Sequence, residues 1–509
     1  MPDNSITANR STLKEFLGSV ATIKGDLSNI TAPPFVLGDY STVELPQYFA
    51  DRPSLFVAPA LEEDAEKRAL LVLKNFLGSL RNQQYAGRKE VDGVKKPLNA
   101  FLGELFLGTW HDEEVGDTKL ICEQVGHHPP VTACYISNEK YGVTAEGFTQ
   151  QAITFNGNVH IKQSGYAITH IERFDEDYII PLPSVKVKGV LTGTPYPELE
   201  GTYSIVSSTG IISEVKFQGK GMLFGGNKHG FEARVYRKEK PSETLYTATG
   251  HWNGGFTFHD ARTGEEIDAF DTIETPTTPI TVPPPSSQDP WESRRAWSGV
   301  LDALSQGDMK RTVSTKAEVE EGQRKIRLDE EVQNRTWKPL FFKRQEHDPI
   351  VERLSGADRD SFVLDDEEGI WKLDAAAVKS TKTPYHGGLL PTGTRSKDQG
   401  LESNVPKREE EVRGGQTEVS QGTEQNVGSI SRAQAGENGN GGPVRNANET
   451  AKETINGDTS GLAGGPVDQN SNGNVNENGN GNGSRASEVH LTDAQVESML
   501  RDKYTSTRR

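Results

Sequence analysis

The residues best able to do chemistry fall into three short sets. The first is Glu123-Gln124-Val125-Gly126-His127-His128-Pro129-Pro130, two adjacent histidines between a carboxylate and two prolines. The second is Lys95-Lys96-Pro97-Leu98-Asn99. The third is Lys316, Glu320 and Arg324, whose i, i+4, i+8 spacing puts them on one face of a helix. All three suit an anion. Lysine supplies a compact charge, arginine a planar fork, and histidine a donor that gains charge below neutral pH. Proline pushes the preceding residue out of the helical region, so His128 is expected at a strand end or turn. Neighbouring side chains of an extended segment point to opposite faces, which makes the pair poor metal ligands. Taken singly, each set also reads as ordinary structure: histidines in a turn, a solvated loop, a surface ion-pair ladder. Glu123 and the histidines could act as base and acid, but no Gly-x-Ser-x-Gly nucleophile motif accompanies them.

The elements that must hold these sets follow from periodicity. From about 105 to 272 short runs alternate with period two, as in Val185-Lys186-Val187-Lys188, in Val159 and Ile161, and in Phe231, Ala233 and Val235. Turn residues such as Asn156-Gly157 and Gly225-Gly226-Asn227 separate the runs. This predicts a meandering antiparallel sheet, and a sheet of so many strands must close or split to manage its edges. Residues 62–82 read as a helix. Residues 11–24 read as an amphipathic helix with Leu13, Phe16, Leu17 and Val20 on one face, a capping box of Thr12 with Glu15, and Gly25 as its stop. A Pro- and Thr-rich linker from Thr275 to Ser287 precedes a helical region over about 290–345.

Composition narrows the class. The chain has 509 residues, 33% of them hydrophobic and 52 of them glycine, so a sizeable part is not packed core. Residues 380–486 are rich in Gly, Asn, Glu and Ser and are expected to be disordered. Residues 488–504 could form a short helix capped by Thr492 with Gln495. Two cysteines support no disulfide framework, which suggests a reducing compartment. There is no signal peptide and no run of 18 apolar residues. A net charge of -17 argues against nucleic acid and against bulk attraction to an anionic bilayer.

The octet 123–130 closely resembles the signature of the oxysterol-binding protein family, with Gly126 where the family pattern has serine. Lys95 to Asn99, Phe101 to Phe106, Glu198 to Gly201 and Lys316 to Arg324 resemble the same family in the same order. The resemblance spans residues from about 10 to about 345. It implies a mainly β fold with helices: a large, near-complete antiparallel barrel around a lipid tunnel, with residues 1–30 as a helical lid and residues 31–375 as the lipid-binding domain. It further implies a transfer protein that exchanges phosphatidylinositol 4-phosphate for a sterol or another lipid. Such a protein is cytoplasmic, monomeric, not an enzyme and free of cofactors, and it meets Golgi and endoplasmic reticulum membranes only transiently.

By the same resemblance, Lys96, Asn99, His127, His128, Lys316, Glu320 and Arg324 hold the headgroup. Gln84, Tyr85 and Gln163 lie at the tunnel floor, and Leu13, Phe16, Leu17 and Val20 face the tunnel from the lid. Thr149 and Gln151 depart from the family's Asn and Ile, which puts the second lipid in doubt. The alternative function is a lipid sensor or scaffold acting through the tail. Glu265-Glu266-Ile267-Asp268-Ala269 weakly echoes a receptor-docking motif and is expected to be buried in a strand.

Overall fold

The computed structural model describes residues 9–20, 27, 32–219, 227–362 and 369–396. The expected terminal helix, the tail beyond 396, residues 21–24 of the first helix and the turn at Gly225-Gly226 lie outside the described residues. Helix α1 (Arg10–Val20) buries Leu13, Leu17 and Val20 and half-buries Phe16. The Leu13 N–H donates to the Asn9 carbonyl, so the helix begins a turn before the expected cap, and Thr12 lies inside it. Strand β1 (Leu37–Ser41) follows, then the short helix α2 (Pro53–Val57). Helix α3 (Ala65–Tyr85) starts at Asp64, whose carboxylate accepts from the Glu66 and Lys67 N–H groups. That cap sets the helix a few residues later than the 62–82 expected. Strand β2 (Lys96–Leu98) pairs parallel with β1.

The main sheet contains β3 (Leu105–Trp110), β4 (Thr118–His127), β5 (Pro130–Asn138), β6 (Val143–Phe155), β7 (Val159–Ile171), β8 (Glu176–Ile180), β9 (Val185–Lys188), β10 (Tyr196–Leu199), β11 (Gly201–Ser207), β12 (Ile211–Gln218), β13 (Gly230–Arg237), β14 (Thr244–His251), β15 (Gly255–Asp260) and β16 (Glu266–Asp271). It is antiparallel, runs in order from β3 to β8 and on from β11 to β16, and carries β9 and β10 as a branch beside β7. The edge strands β3 and β16 do not pair with each other, so the sheet is open rather than a closed barrel.

Open edges need cover. The expected linker supplies it on β3: Thr109 and Thr281 exchange backbone hydrogen bonds of 3.0 and 2.7 Å, and the Leu105 N–H donates to the Trp291 carbonyl at 2.9 Å. Strand β16 is the exposed edge. There Glu265, Glu266, Ile267 and Ala269 face solvent, contrary to the burial expected of this stretch.

The two halves of the sheet enclose different things. Val215, Phe217, Phe231, Phe256 and Phe258 pack with Leu73, Phe76, Leu77 and Leu80 of α3 in one buried cluster. The β12–β15 half is therefore filled by the helix. The β4–β7 half encloses a cavity, so the tunnel occupies only the first part of the 105–272 stretch expected to surround it.

Close strand packing at Gly147 keeps that half together. A Cβ there would sit 2.2 Å from the Tyr166 carbonyl oxygen and 2.7 Å from the Ala167 Cα. Both are backbone atoms of the neighbouring strand and cannot rotate away. Gly147→Ala is expected to cost about 3 kcal/mol, read as a lowered urea midpoint; an unchanged midpoint would mean that β6 and β7 separate freely.

After the edge cover come α4 (Ser293–Ala296), α5 (Ser298–Ser305) and α6 (Met309–Val332). Strand β17 (Phe342–Gln345), α7 (Pro349–Ser355), β18 (Ile370–Leu373) and α8 (Ala375–Ser380) complete the regular elements, with β17 and β18 paired antiparallel. Packed structure continues past 380, where disorder was expected, to Ser396. The Trp291 indole N–H donates to the Leu389 carbonyl at 2.7 Å, and the His386 ring lies 4.2 Å from Trp291 and 4.5 Å from Trp337. Apolar and aromatic residues in 385–391 give this strap enough contact to order it.

Candidate functional site

The cavity measures about 370 Å³, within the range for small-molecule pockets. Its wall is a direct product of strand periodicity. Alternate residues of β6, from Ala145 through Gly147, Thr149, Gln151 and Ile153 to Phe155, all face inward. Strand β7 adds Val159, Ile161 and Gln163, and β9 adds Val185 and Val187. All four apolar residues of α1 named from the sequence line the cavity, and Leu13 and Leu17 cluster with Phe35 and Val190.

The histidine octet forms the β4–β5 hairpin, with His128-Pro129 as its two-residue turn. Register shifts by one between Gln124 and Gly126, which is a β-bulge. The bulge reverses the alternation: Gln124 faces the cavity before it and His127 after it, while Glu123 points away. Gly126 sits at this bulge, where a Cβ would lie 3.0 Å from Val131 Cγ2 and 3.1 Å from the Pro129 oxygen. The glycine relieves a crowded turn, a role beyond the flexibility that its type alone suggests. Glu123 is buried and accepts from the Leu340 and Phe341 N–H groups at 2.6 and 2.8 Å. Its carboxylate anchors that segment and is separated from the histidines it would need as an acid–base partner.

Lys96 lines the cavity and hydrogen-bonds Asn99, which lines it too, while Lys316, buried in α6, forms an ion pair with Glu320 outside the cavity lining. Burial, and then the charge of Lys316, push the Lys96 ammonium down to about 8, with Glu320 opposing. Lys96, Lys316 and Glu320 thus feel one another although they come from distant parts of the chain. His127 is pushed down to about 4, first by burial and then by His128, whose ring lies 4.5 Å away. The His127 Nδ1–H donates to the Ala100 carbonyl at 3.2 Å. The neutral ring therefore has no second donor for a ligand and gains one only by protonation. His128 is exposed at the hairpin turn.

Two expected residues stand elsewhere. Arg324 is exposed one turn beyond Glu320 and makes no ion pair among the described residues. The cation that acts on His127 is Arg327, which lies over Trp337 at 4.5 Å and pairs with Glu330 at 3.0 Å. Its i+11 spacing from Lys316 places it on the same helix face and could have drawn attention to it. Tyr85 does not line the cavity; it is buried with its hydroxyl 3.4 Å from His229 Nε2 and its ring 6.4 Å from Trp252. Successive helix residues point about 100° apart, so Gln84 reaches the cavity and Tyr85 does not. Gln163 lines it and donates to the Pro183 carbonyl at 2.6 Å. No cluster of metal-binding type occurs among the described residues, and no helix there is long and apolar enough to cross a membrane.

An apolar cavity lined by a helix, with basic and amide groups also on its wall, defines a lipid-binding protein. The oxysterol-binding protein family model matches residues 16–300, and the chain belongs to that family. It is 51% identical to a probable transporter, efuK, of Hormonema carpetanum over 74% of this chain, and it spans only 55% of that relative's length. It is 37% identical to the protein kes1 of Schizosaccharomyces pombe over 71% of this chain and 93% of that one. Among solved structures, the Osh1 ORD domain in complex with cholesterol superposes with a TM-score of 0.55 at 22% identity, over 71% of this chain and 87% of that one. The Osh3 ORD of Saccharomyces cerevisiae in complex with PI(4)P gives 0.51 at 20% identity, over 66% and 86%. At these identities the superpositions establish the shared fold.

Proposed function

We propose that this protein is a cytoplasmic lipid carrier that exchanges phosphatidylinositol 4-phosphate for a sterol or another lipid between intracellular membranes. The observation that carries the reading is the junction of an apolar cavity beneath α1 with the Lys96, Asn99, His127, Lys316 and Glu320 cluster. The cavity takes an apolar body out of water, and some hundreds of Å² buried are worth on the order of 10 kcal/mol. The cluster takes a phosphorylated head. Similar folds are known holding cholesterol, ergosterol and PI(4)P, which supports both halves. Two lipids that share one cavity exclude each other, so loading one displaces the other and exchange follows.

Mass spectrometry of lipids bound to the purified protein, with extraction from liposomes containing phosphatidylinositol 4-phosphate, tests the reading. Extraction of that lipid is expected, and its absence overturns the proposal. The pH dependence is a second check. A bound phosphate favours the protonated forms of Lys96 and His127, so binding takes up a proton wherever the free protein has lost it. Affinity is expected to fall above about pH 8, where free Lys96 deprotonates; below pH 7, proton uptake by His127 on binding is offset by the phosphate, whose own second ionisation lies at about 6. A profile that stays flat above pH 8 in binding titrations would remove Lys96 from the headgroup site.

A further inference from the structure

We propose that Cys122 and Cys134 are a reversible modification site: a hydroperoxide that enters the empty cavity joins them as a disulfide, and cargo shields them. They are the only two cysteines in 509 residues, and they stand directly opposite each other on β4 and β5. A strand residue has at most two such partners, so chance seldom puts all the thiols of a chain in register. Hydrogen bonding fixes how close they come. The Gln124 N–H donates to the Glu104 carbonyl at 2.9 Å, and the Gln124 carbonyl accepts from the Gly103 N–H at 2.8 Å. The backbone groups of Gln124 therefore point to β3, and those of Cys122, two residues back, point the same way, to Phe106. Toward β5, Cys122 and Cys134 form a non-hydrogen-bonded pair, the closer of the two kinds, with Cα atoms about 4.5 Å apart. Disulfides span about 4.4–6.8 Å between Cα atoms, so the bond is within reach at the short end of that range.

The two thiols differ in access. Cys134 is half-buried and lines the cavity with Thr132 and Ile136, whereas Cys122 is fully buried. An oxidant in the cavity therefore meets Cys134 first. The Cys134 sulfur attacks the hydroperoxide, the O–O bond breaks, and an alcohol or water leaves behind a sulfenic acid. The Cys122 sulfur then displaces the new hydroxyl: the S–S bond forms, the S–O bond breaks, and water carries off the Cys122 proton. Two thiols give up two electrons to the O–O bond. Burial pushes both thiols up, Cys134 to about 12, so thiolate is scarce near neutral pH and the pair rests reduced. A cargo that fills the cavity covers Cys134, and an empty cavity uncovers it. The bond ties together the two arms of the hairpin that carries His127 and His128. The shielding rests on the lipid-carrier reading; the bond does not.

Full-length, lipid-free protein exposed to hydrogen peroxide, with remaining thiols then blocked and the intact mass measured, tests this. A monomer lighter by two hydrogens, with neither cysteine blocked, is expected, and dithiothreitol should restore both thiols. Two thiols still open to blocking, disulfide-linked dimers, or Cys134 carried alone to sulfinic acid overturns the proposal, and the wild-type protein decides this whatever the variants do. Cys122→Ser is expected to stop at a Cys134 sulfenic acid that dimedone traps; no trapped adduct overturns the order of attack. Protein preloaded with phosphatidylinositol 4-phosphate is expected to oxidise at least tenfold more slowly, and equal rates overturn the shielding. If no lipid of any kind loads, the carrier reading fails and the shielding with it, while the lipid-free sample still decides the bond.

Discussion

Lys316→Ala is expected to lower affinity for phosphatidylinositol 4-phosphate by a hundredfold or more. Lys316 is buried in α6 and paired with Glu320, and its charge depresses Lys96. Removing the ammonium has two effects that act together. The phosphate loses a charge-assisted contact in a partly desolvated site, a loss of about 3 kcal/mol by comparison with truncated buried charge pairs. Glu320 also loses its partner and turns an uncompensated negative charge toward the same site. One effect runs the other way: without Lys316 nearby, Lys96 holds its proton more firmly, which returns part of the binding at high pH. The variant should accordingly show a weaker affinity whose decline begins above the wild-type value of about pH 8. The helix itself survives, because Val319 and Ile326 hold α6 to the core and alanine favours helix. Liposome extraction with a melting curve on the same sample checks the prediction. Undiminished extraction would show that this cluster does not hold the head.

Much of this site could be read from the chain because its geometry is local. Period two along 145–155 and 159–163 is the cavity wall itself, and the i, i+4 spacing of Lys316 and Glu320 is their ion pair. The misses come from phase and from distance. Tyr85 is one residue from Gln84, and a helix turns it away from the cavity. The bulge near Gly126 sends Glu123 and His127 to opposite faces, although strict alternation would put both on one. Arg327 reaches His127 only through tertiary packing. The Pro- and Thr-rich stretch looked like a tether and instead covers the β3 edge, because its partner strand lies far back in the chain.

The strap at 381–396 is the largest departure from what the composition of the chain suggests. Shortening the chain after Ser396 should leave the melting temperature unchanged, whereas shortening it after Ser380 should lower it by about 10 °C or prevent folding. Only the second cut removes Tyr385, His386 and Leu389 from Phe341, Trp291 and Trp337. Uncovering on the order of 200 Å² of aromatic surface forfeits about 5 kcal/mol, a large share of the stability of any domain. The cut also acts on the site. Gly322 of α6 packs so tightly on Thr392 that a Cβ would sit 2.2 Å from its carbonyl carbon, and Gln323 donates to the Pro391 carbonyl at 2.9 Å. Helix α6, which carries Lys316 and Glu320, is thus held from outside by residues whose composition alone marks them as tail. Equal melting temperatures for the two truncations would show that the strap rests on the core without bracing it.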